Sequence, residues 1–252
     1  MQRRELLKGL TALSLCPICA GLAKAAEGAH WSYEGEAGPD RWGDLATENA
    51  ACSAGSQQSP LDIVGATKAE LPALKLSWLP TGGKIINNGH TIQLNVPAGS
   101  TLTAGDAVYD LVQFHFHAPS EHLVDGKRFP MEVHFVHKKQ GDGGLGVLGV
   151  FLAAGAANAA FAAIANAFPP GHEQEAEAPP EANPNALLPA AATYWKYEGS
   201  LTTPPCSEVV DWMVLTDPID VAQADIDKFT ALFPMNARPA QPANRRFVLV
   251  ST

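Results

Sequence analysis

A chain of 252 residues has room for one large domain or two small ones, and 46% apolar against 17% charged residues is the balance of an ordinary folded protein. Its 17 basic and 26 acidic side chains leave a formal net charge of −9, which argues against nucleic acid or an anionic membrane surface as a partner. After the first segment no apolar run is long enough to span a bilayer.

The first segment reads as an export signal. Arg3 and Arg4 open a basic region, residues 6–22 are largely apolar but broken by Lys8 and Pro17, and Ala23-Lys24-Ala25 has the small-x-small form of a cleavage site. The run Arg3-Arg4-Glu5-Leu6-Leu7-Lys8 resembles a twin-arginine signal, with the general secretory route as the alternative. Either route ends outside the cytoplasm, in the periplasm or beyond. Cys16 follows Leu15, where a lipoprotein box needs a small residue. Cleavage after Ala25 removes four basic residues and one acid, leaving 13 against 25, and leaves Cys52 and Cys206 as the only cysteines. An even pair in an oxidising compartment reads as a disulfide.

Downstream, short apolar or alternating runs at 84–87, 91–96, 111–117, 131–137, 147–153, 209–216 and 247–250 predict strands separated by turn chemistry. Helices are expected over 156–168 and 222–232, the second after a start signal around Asp220. Residues 169–186 are proline-rich and acidic and read as a surface loop with no chemistry of its own. No repeat or linker is visible, so residues 26–252 form one mostly β domain.

The chemistry is concentrated in Gln113-Phe114-His115-Phe116-His117 and Glu132-Val133-His134. Residues two apart on a strand share a face, so Gln113, His115 and His117 point one way and Phe114 and Phe116 the other. Asp125-Gly126 is a two-residue hairpin signal. A turn there pairs residues whose numbers sum to 251 and sets His117 opposite His134, although Pro119 and Pro130 would interrupt the ladder. Three histidines with one open position are the ligand set of a catalytic zinc site. A lone His-x-His is more often a satisfied pair in a sheet. The third histidine weighs against that, as do Gln113 and Glu132, placed to accept from the ring nitrogens that do not ligate.

These pieces belong to a longer series: His30-Trp31-Ser32-Tyr33, Gln58-Ser59-Pro60, Asn87-Asn88-Gly89-His90, Gln113 to His117, Ser120-Glu121-His122, Glu132-Val133-His134, Asn183-Pro184, Leu187-Leu188-Pro189, Tyr194-Trp195, Gly199 to Pro205, Trp212 and Asn244-Arg245. In that order and over nearly the whole mature chain they resemble the alpha class of carbonic anhydrases. The resemblance implies a single large, twisted, mainly antiparallel sheet of about ten strands with short peripheral helices, and a cone-shaped cavity with zinc at its base.

The implied reaction is the reversible hydration of carbon dioxide to bicarbonate and a proton. Zinc on His115, His117 and His134 would lower the pKa of a bound water, and the hydroxide would attack carbon dioxide. Thr202 would orient it, accepting from it and donating in turn to Glu121. Thr203 would contact bicarbonate, and Val136, Val147, Leu201 and Trp212 would line the apolar substrate pocket. His122, Tyr197 and Ser59 would support Glu132, and Cys52–Cys206 would steady the loop bearing Thr202. His90 stands at the shuttle position, an imidazole being suited to carrying a proton to buffer, with Tyr33, Asn88 and Gln93 holding the bridging waters. His172 and His137 read as bystanders.

Ala118, where many relatives carry an aromatic residue, and the length and composition of residues 169–182 depart from the family. The rival functions are a non-catalytic carbonic-anhydrase-like binding module, a zinc-dependent esterase and a zinc store. No nucleic-acid partner or membrane anchor is expected, and the protein is expected to be a monomer or homodimer.

Overall fold

The computed structural model describes residues 30–80 and 83–252, so the export segment with Arg3, Arg4, Cys16 and Cys19 lies outside it. Ten strands run in the order Gln174–Glu177, Lys84–Asn87, Ile92–Asn95, Ala107–His117, Met131–Lys139, Leu145–Ala154, Val210–Leu215, Tyr194–Gly199, Leu249–Ser251, Thr67–Ala69. Leu74–Ser77, Thr101–Ala104 and Ile219–Val221 join this sheet off the main path. The sheet is mixed rather than purely antiparallel. Leu145–Ala154 runs parallel to both Val210–Leu215 and Ile219–Val221, and Leu249–Ser251 parallel to Thr67–Ala69. The chain leaves Leu145–Ala154 through a helix, crosses the surface and returns in the same direction, which a tight hairpin cannot do.

Among the described residues, the two longest helices pack against the sheet. Ala159–Asn166 begins at Asn158, whose side chain accepts from the Phe161 N–H, so the cap trims the expected start at 156. Gln223–Leu232 begins without a side-chain cap, because Asp220 belongs to the strand Ile219–Val221. Residues 169–186 are not simply a loop. Gln174–Glu177 pairs along Lys84–Asn87 and closes the sheet edge, and Pro184–Leu187 forms a 3-10 turn. The strand is exposed throughout, so no apolar alternation betrays it.

The register between the two histidine-bearing strands differs from expectation by two residues. Asp125 and Gly126 do form the turn, both with positive φ, and Val124 bridges Lys127 across it. Leu123–Val124 then pairs with Asp62–Ile63 instead of continuing the hairpin. The main ladder resumes with His115 opposite His134 and His117 opposite Glu132. A slip of two preserves every face, whereas a slip of one would have turned the histidines away. A bulge between Leu111 and Gln113 reverses the parity upstream, which lets Leu111 share the core with Phe114 while Gln113 stays on the histidine face.

That parity divides the molecule. Phe114, Phe116, Val133 and Phe135 pack into the larger core with Phe161 and Phe229 from the helices. A second core, around Val147, Phe151, Tyr197, Trp212 and Val214, covers the other face beside the histidines.

Candidate active site

His115, His117 and His134 each offer a ring nitrogen, and these three atoms lie within 4.8 Å of one another. Each ring is tied by its other nitrogen. His115 Nδ1 donates to Gln113 Oε1 at 2.8 Å, His117 Nδ1 to the Asn236 carbonyl at 2.7 Å, and His134 Nε2 to Glu132 Oε1 at 2.9 Å. Those bonds fix the tautomers and leave His115 Nε2, His117 Nε2 and His134 Nδ1 as the nitrogens whose lone pairs are free to ligate. His117 Nε2 is buried and has no hydrogen-bond partner, which an imidazole in a closed protein core does not ordinarily tolerate. A second group, His122, Glu132 and His134, is also compact enough for a cation, but hydrogen bonds already engage it.

Burial pushes His115 well below the usual imidazole range, with the neighbouring rings adding to it, and it lowers His117 as well. For His134 burial also opposes charge, but Glu132 outweighs it and the pKa is raised. Burial would raise Glu132; His122 and His134 instead hold it well below the carboxylate range. The Glu132 carboxylate is fully engaged. Oε2 accepts from the Glu121 and His122 backbone N–H groups, both at 2.9 Å, and Oε1 from His134 and from His122 Nδ1 at 2.8 Å. His122 Nε2 lies 2.6 Å from the Tyr197 hydroxyl, itself 3.1 Å from Ser59 Oγ. Gly149 stands opposite His134, and a Cβ there would come within 2.9 Å of Glu132 Oε1, so a larger residue would displace the carboxylate.

The expected Thr202–Glu121 hydrogen bond is not made. Glu121 Oε1 accepts from the Arg238 backbone N–H at 2.8 Å, and Oε2 has no hydrogen-bond partner. Oε2 stands 3.6 Å from His117 Nε2 and 3.8 Å from His134 Nδ1, drawn toward rings whose charged forms it favours. Thr202 is nonetheless buried, on the irregular segment between Tyr194–Gly199 and Val210–Leu215. The Thr203 carbonyl accepts from the Cys206 N–H at 2.9 Å, and Cys206 is disulfide-bonded to Cys52.

Val136, Val147 and Trp212 stand in register on three adjacent strands, on the face that carries His134 two residues along. The Trp212 ring packs 4.9 Å from that of His134, and Leu201 packs against the same cluster. Beside the imidazoles there is thus an apolar wall.

Two residues that bind the site together escaped the sequence reading. The Asn236 side chain donates to the His90 and Phe116 carbonyls and accepts from the Ala118 N–H, while its carbonyl holds His117. The buried guanidinium of Arg238 donates to Gln58 Oε1 and to the Ser59 and Cys52 carbonyls. Both lie more than a hundred residues beyond His134, in a stretch without regular structure, and carry no local motif.

A cavity of about 500 Å³ is lined by residues that include His30, Trp31, Tyr33, His90, His172 and Met235, but by none of the three clustered histidines. His90 is half-buried, and burial, then His30 and His172, pull its pKa down to about 4. Asn88 Oδ1 accepts from the His90 and Thr91 N–H groups and shapes the turn, and Gln93 sits opposite His115 on the next strand. His137 is buried on the opposite face beside Trp78, away from the cluster.

The eukaryotic-type carbonic anhydrase family model matches residues 37–252. The chain is 39% identical over 244 residues to a carbonic anhydrase of Pectobacterium atrosepticum, covering 96% of this chain and 100% of that one. It is 41% identical over 264 residues to a carbonic anhydrase of a Nostoc species, at 99% and 97% coverage. In structure it is similar to the alpha-carbonic anhydrase of Thermovibrio ammonificans, solved with the inhibitor sulfanilamide. That match has a TM-score of 0.86 and 40% identity over 88% of this chain and 99% of the other.

Proposed function

The chain belongs to the alpha carbonic anhydrase family and reversibly hydrates carbon dioxide to bicarbonate and a proton; from that premise we propose how its own residues carry the reaction. The observation that supports the reading best is the set of three converging imidazoles, each held by a bond to its far nitrogen, against an apolar wall. The cluster can hold a metal, and three neutral nitrogens with one position left open suit zinc. Zinc bound there supplies Lewis acidity, which makes water a nucleophile near neutral pH.

The residues around it have separate tasks. Gln113, Glu132 and the Asn236 carbonyl set the tautomers and aim the rings, with His122, Tyr197 and Ser59 holding Glu132 in turn. Thr202 accepts a hydrogen bond from the attacking oxygen. During turnover its own hydroxyl would donate to Glu121 Oε2, the carboxylate oxygen that has no partner in the structure. Val136, Val147, Leu201 and Trp212 receive carbon dioxide without competing for it by hydrogen bonds, and Thr203 contacts the bicarbonate formed. His90 takes up the released proton across waters ordered by Tyr33, Asn88 and Gln93.

Residues 1–25 are the export signal and 26–252 the catalytic domain. Among the described residues no helix is long and apolar enough to cross a membrane. The Cys52–Cys206 disulfide belongs to an oxidising compartment, so we place the enzyme in the periplasm or outside the cell, with a twin-arginine signal as its route.

Stopped-flow hydration of carbon dioxide tests the reading. Chelation should abolish activity and added zinc should restore it. Undiminished turnover after zinc is removed would overturn the site.

A further inference from the structure

We propose that His172 is the outlet of the proton pathway, receiving the proton from His90 and passing it to buffer. The inference rests on the reading of His90 as the shuttle and extends it to a residue whose surroundings in the sequence suggest only an exposed loop.

The surroundings in the fold are more specific. The Asn87 side chain donates to the Pro169 carbonyl at 2.9 Å, and the Glu173 N–H donates to the Asn87 carbonyl at 2.7 Å. Gln174–Glu177 then pairs along Lys84–Asn87. Residues 169–177 are thereby stitched to the strand that leads directly into Asn88-Gly89-His90. The His172 ring lies against Gly89. A Cβ on Gly89 would come within 2.4 Å of His172 Cδ2 and 2.6 Å of its Nε2, and Gly89 has a φ of +84°. The positive φ favours glycine at this turn, and the missing Cβ leaves the space that the His172 ring occupies.

The imidazoles form a gradient from interior to solvent: His90 is half-buried, His172 and His30 are exposed, and all three line one cavity. The 169–186 stretch carries four carboxylates, Glu173, Glu175, Glu177 and Glu181, and no lysine or arginine, a field that favours an arriving cation. The N-terminal segment presents His30, Tyr33 and Glu34 to the cavity, and residues 232–236 add no titratable group. His90 is a weak base in this position, so it gives up a captured proton readily. The step is a proton transfer alone. An N–H bond of the His90 imidazolium breaks, an N–H bond forms on a ring nitrogen of His172 through intervening water, and a buffer base then takes the proton from His172.

The test is kcat and kcat/KM against buffer concentration for wild type, His172→Phe, His172→Gln and His90→Ala. The phenylalanine keeps a ring over Gly89 and removes the base. At low buffer both His172 variants should lose about three- to tenfold in kcat with kcat/KM unchanged, and imidazole should restore the loss. In the His90→Ala background His172→Phe should cost nothing further, because the residues act in series. By NMR the His90 ring should titrate higher in His172→Phe than in wild type, which reads their coupling without turnover. If His90→Ala lowers kcat but neither His172 variant does, the outlet is wrong and the shuttle stands. If His90→Ala itself changes nothing, the shuttle reading fails first. A parallel loss of kcat/KM would make His172 a structural prop and overturn the relay.

Discussion

The imidazole of His90 lies flat on the indole of Trp31, ring centroids 3.7 Å apart and planes within 8° of each other. The stack shields one face of the ring from water, in keeping with burial as the main cause of its lowered pKa of about 4. In this position His90 is neutral throughout the neutral and alkaline range, hence free to accept a proton but poor at retaining one. His90→Ala should therefore leave zinc content and kcat/KM nearly unchanged and reduce kcat, with the loss relieved by concentrated imidazole. Coincident plots of kcat against buffer concentration for the two proteins would make His90 a bystander and pass the role to another group such as His30.

The metal centre makes two distinguishable predictions. His134→Ala removes one of three donors and should lose most of the bound zinc and nearly all activity. Gln113→Ala keeps all three donors but frees the His115 ring, and should weaken zinc affinity by about 10- to 100-fold. Elemental analysis after dialysis against a graded chelator reads both. Full occupancy in His134→Ala would remove that residue from the site.

Thr202→Ala should retain zinc while slowing the reaction. A charge-assisted hydrogen bond worth roughly 1–3 kcal/mol net corresponds to about a 5- to 150-fold loss in kcat/KM. The Thr202–Glu121 bond is absent from the fold described above, so this variant is the direct test of whether the unpaired Glu121 Oε2 serves Thr202 during turnover. Wild-type kinetics would assign the orientation of the nucleophile to another group.

Cys52 and Cys206 are separated by 154 positions, and the bond between them joins the N-terminal turns to the loop that carries Thr202. On the chain-entropy model such a link contributes roughly 3–5 kcal/mol, less any native strain. Cys52→Ser, or reductant, should lower the melting temperature well before it disturbs zinc binding. Free alkylation of both thiols in unreduced, exported protein would dispose of the bond.

What the sequence could and could not disclose follows from the range of each interaction. Strand parity depends only on neighbours two apart, so the shared face of Gln113, His115 and His117 and the opposite face of Phe114 and Phe116 are legible in a five-residue window. The register to His134 is not, because Leu123–Val124 leaves the hairpin for Asp62–Ile63, some sixty residues away. Asn236 and Arg238 act across still longer separations through backbone groups, which no residue pattern encodes. Composition correctly put Gln174–Glu177 at the surface but concealed that it is a strand, since an edge exposed on both faces shows no alternation. The same composition made His172 look idle.

His137 offers a test that is independent of the active site. Its ring is fully buried, Nδ1 lies 3.3 Å from the Gly146 carbonyl, and Nε2 has no partner. Burial drives its pKa from 6.5 down to about 4, against smaller opposing contributions from the Gly146 and Phe135 backbone and from Asp110. Above pH 6.5 the ring is neutral whether the chain is folded or not, and it adds no pH dependence. Between 6.5 and 4 the unfolded chain binds a proton that the folded chain refuses, so stability falls as pH falls. The loss is complete near pH 4 and amounts to about 3 kcal/mol. Denaturant titrations at neutral pH and at pH 5, on wild type and His137→Phe, isolate this contribution, because the carboxylates common to both proteins cancel in the difference. Wild type should lose about 2 kcal/mol more than the variant over that interval. Equal losses would mean that the His137 ring reaches water, or finds a proton acceptor, in the folded protein.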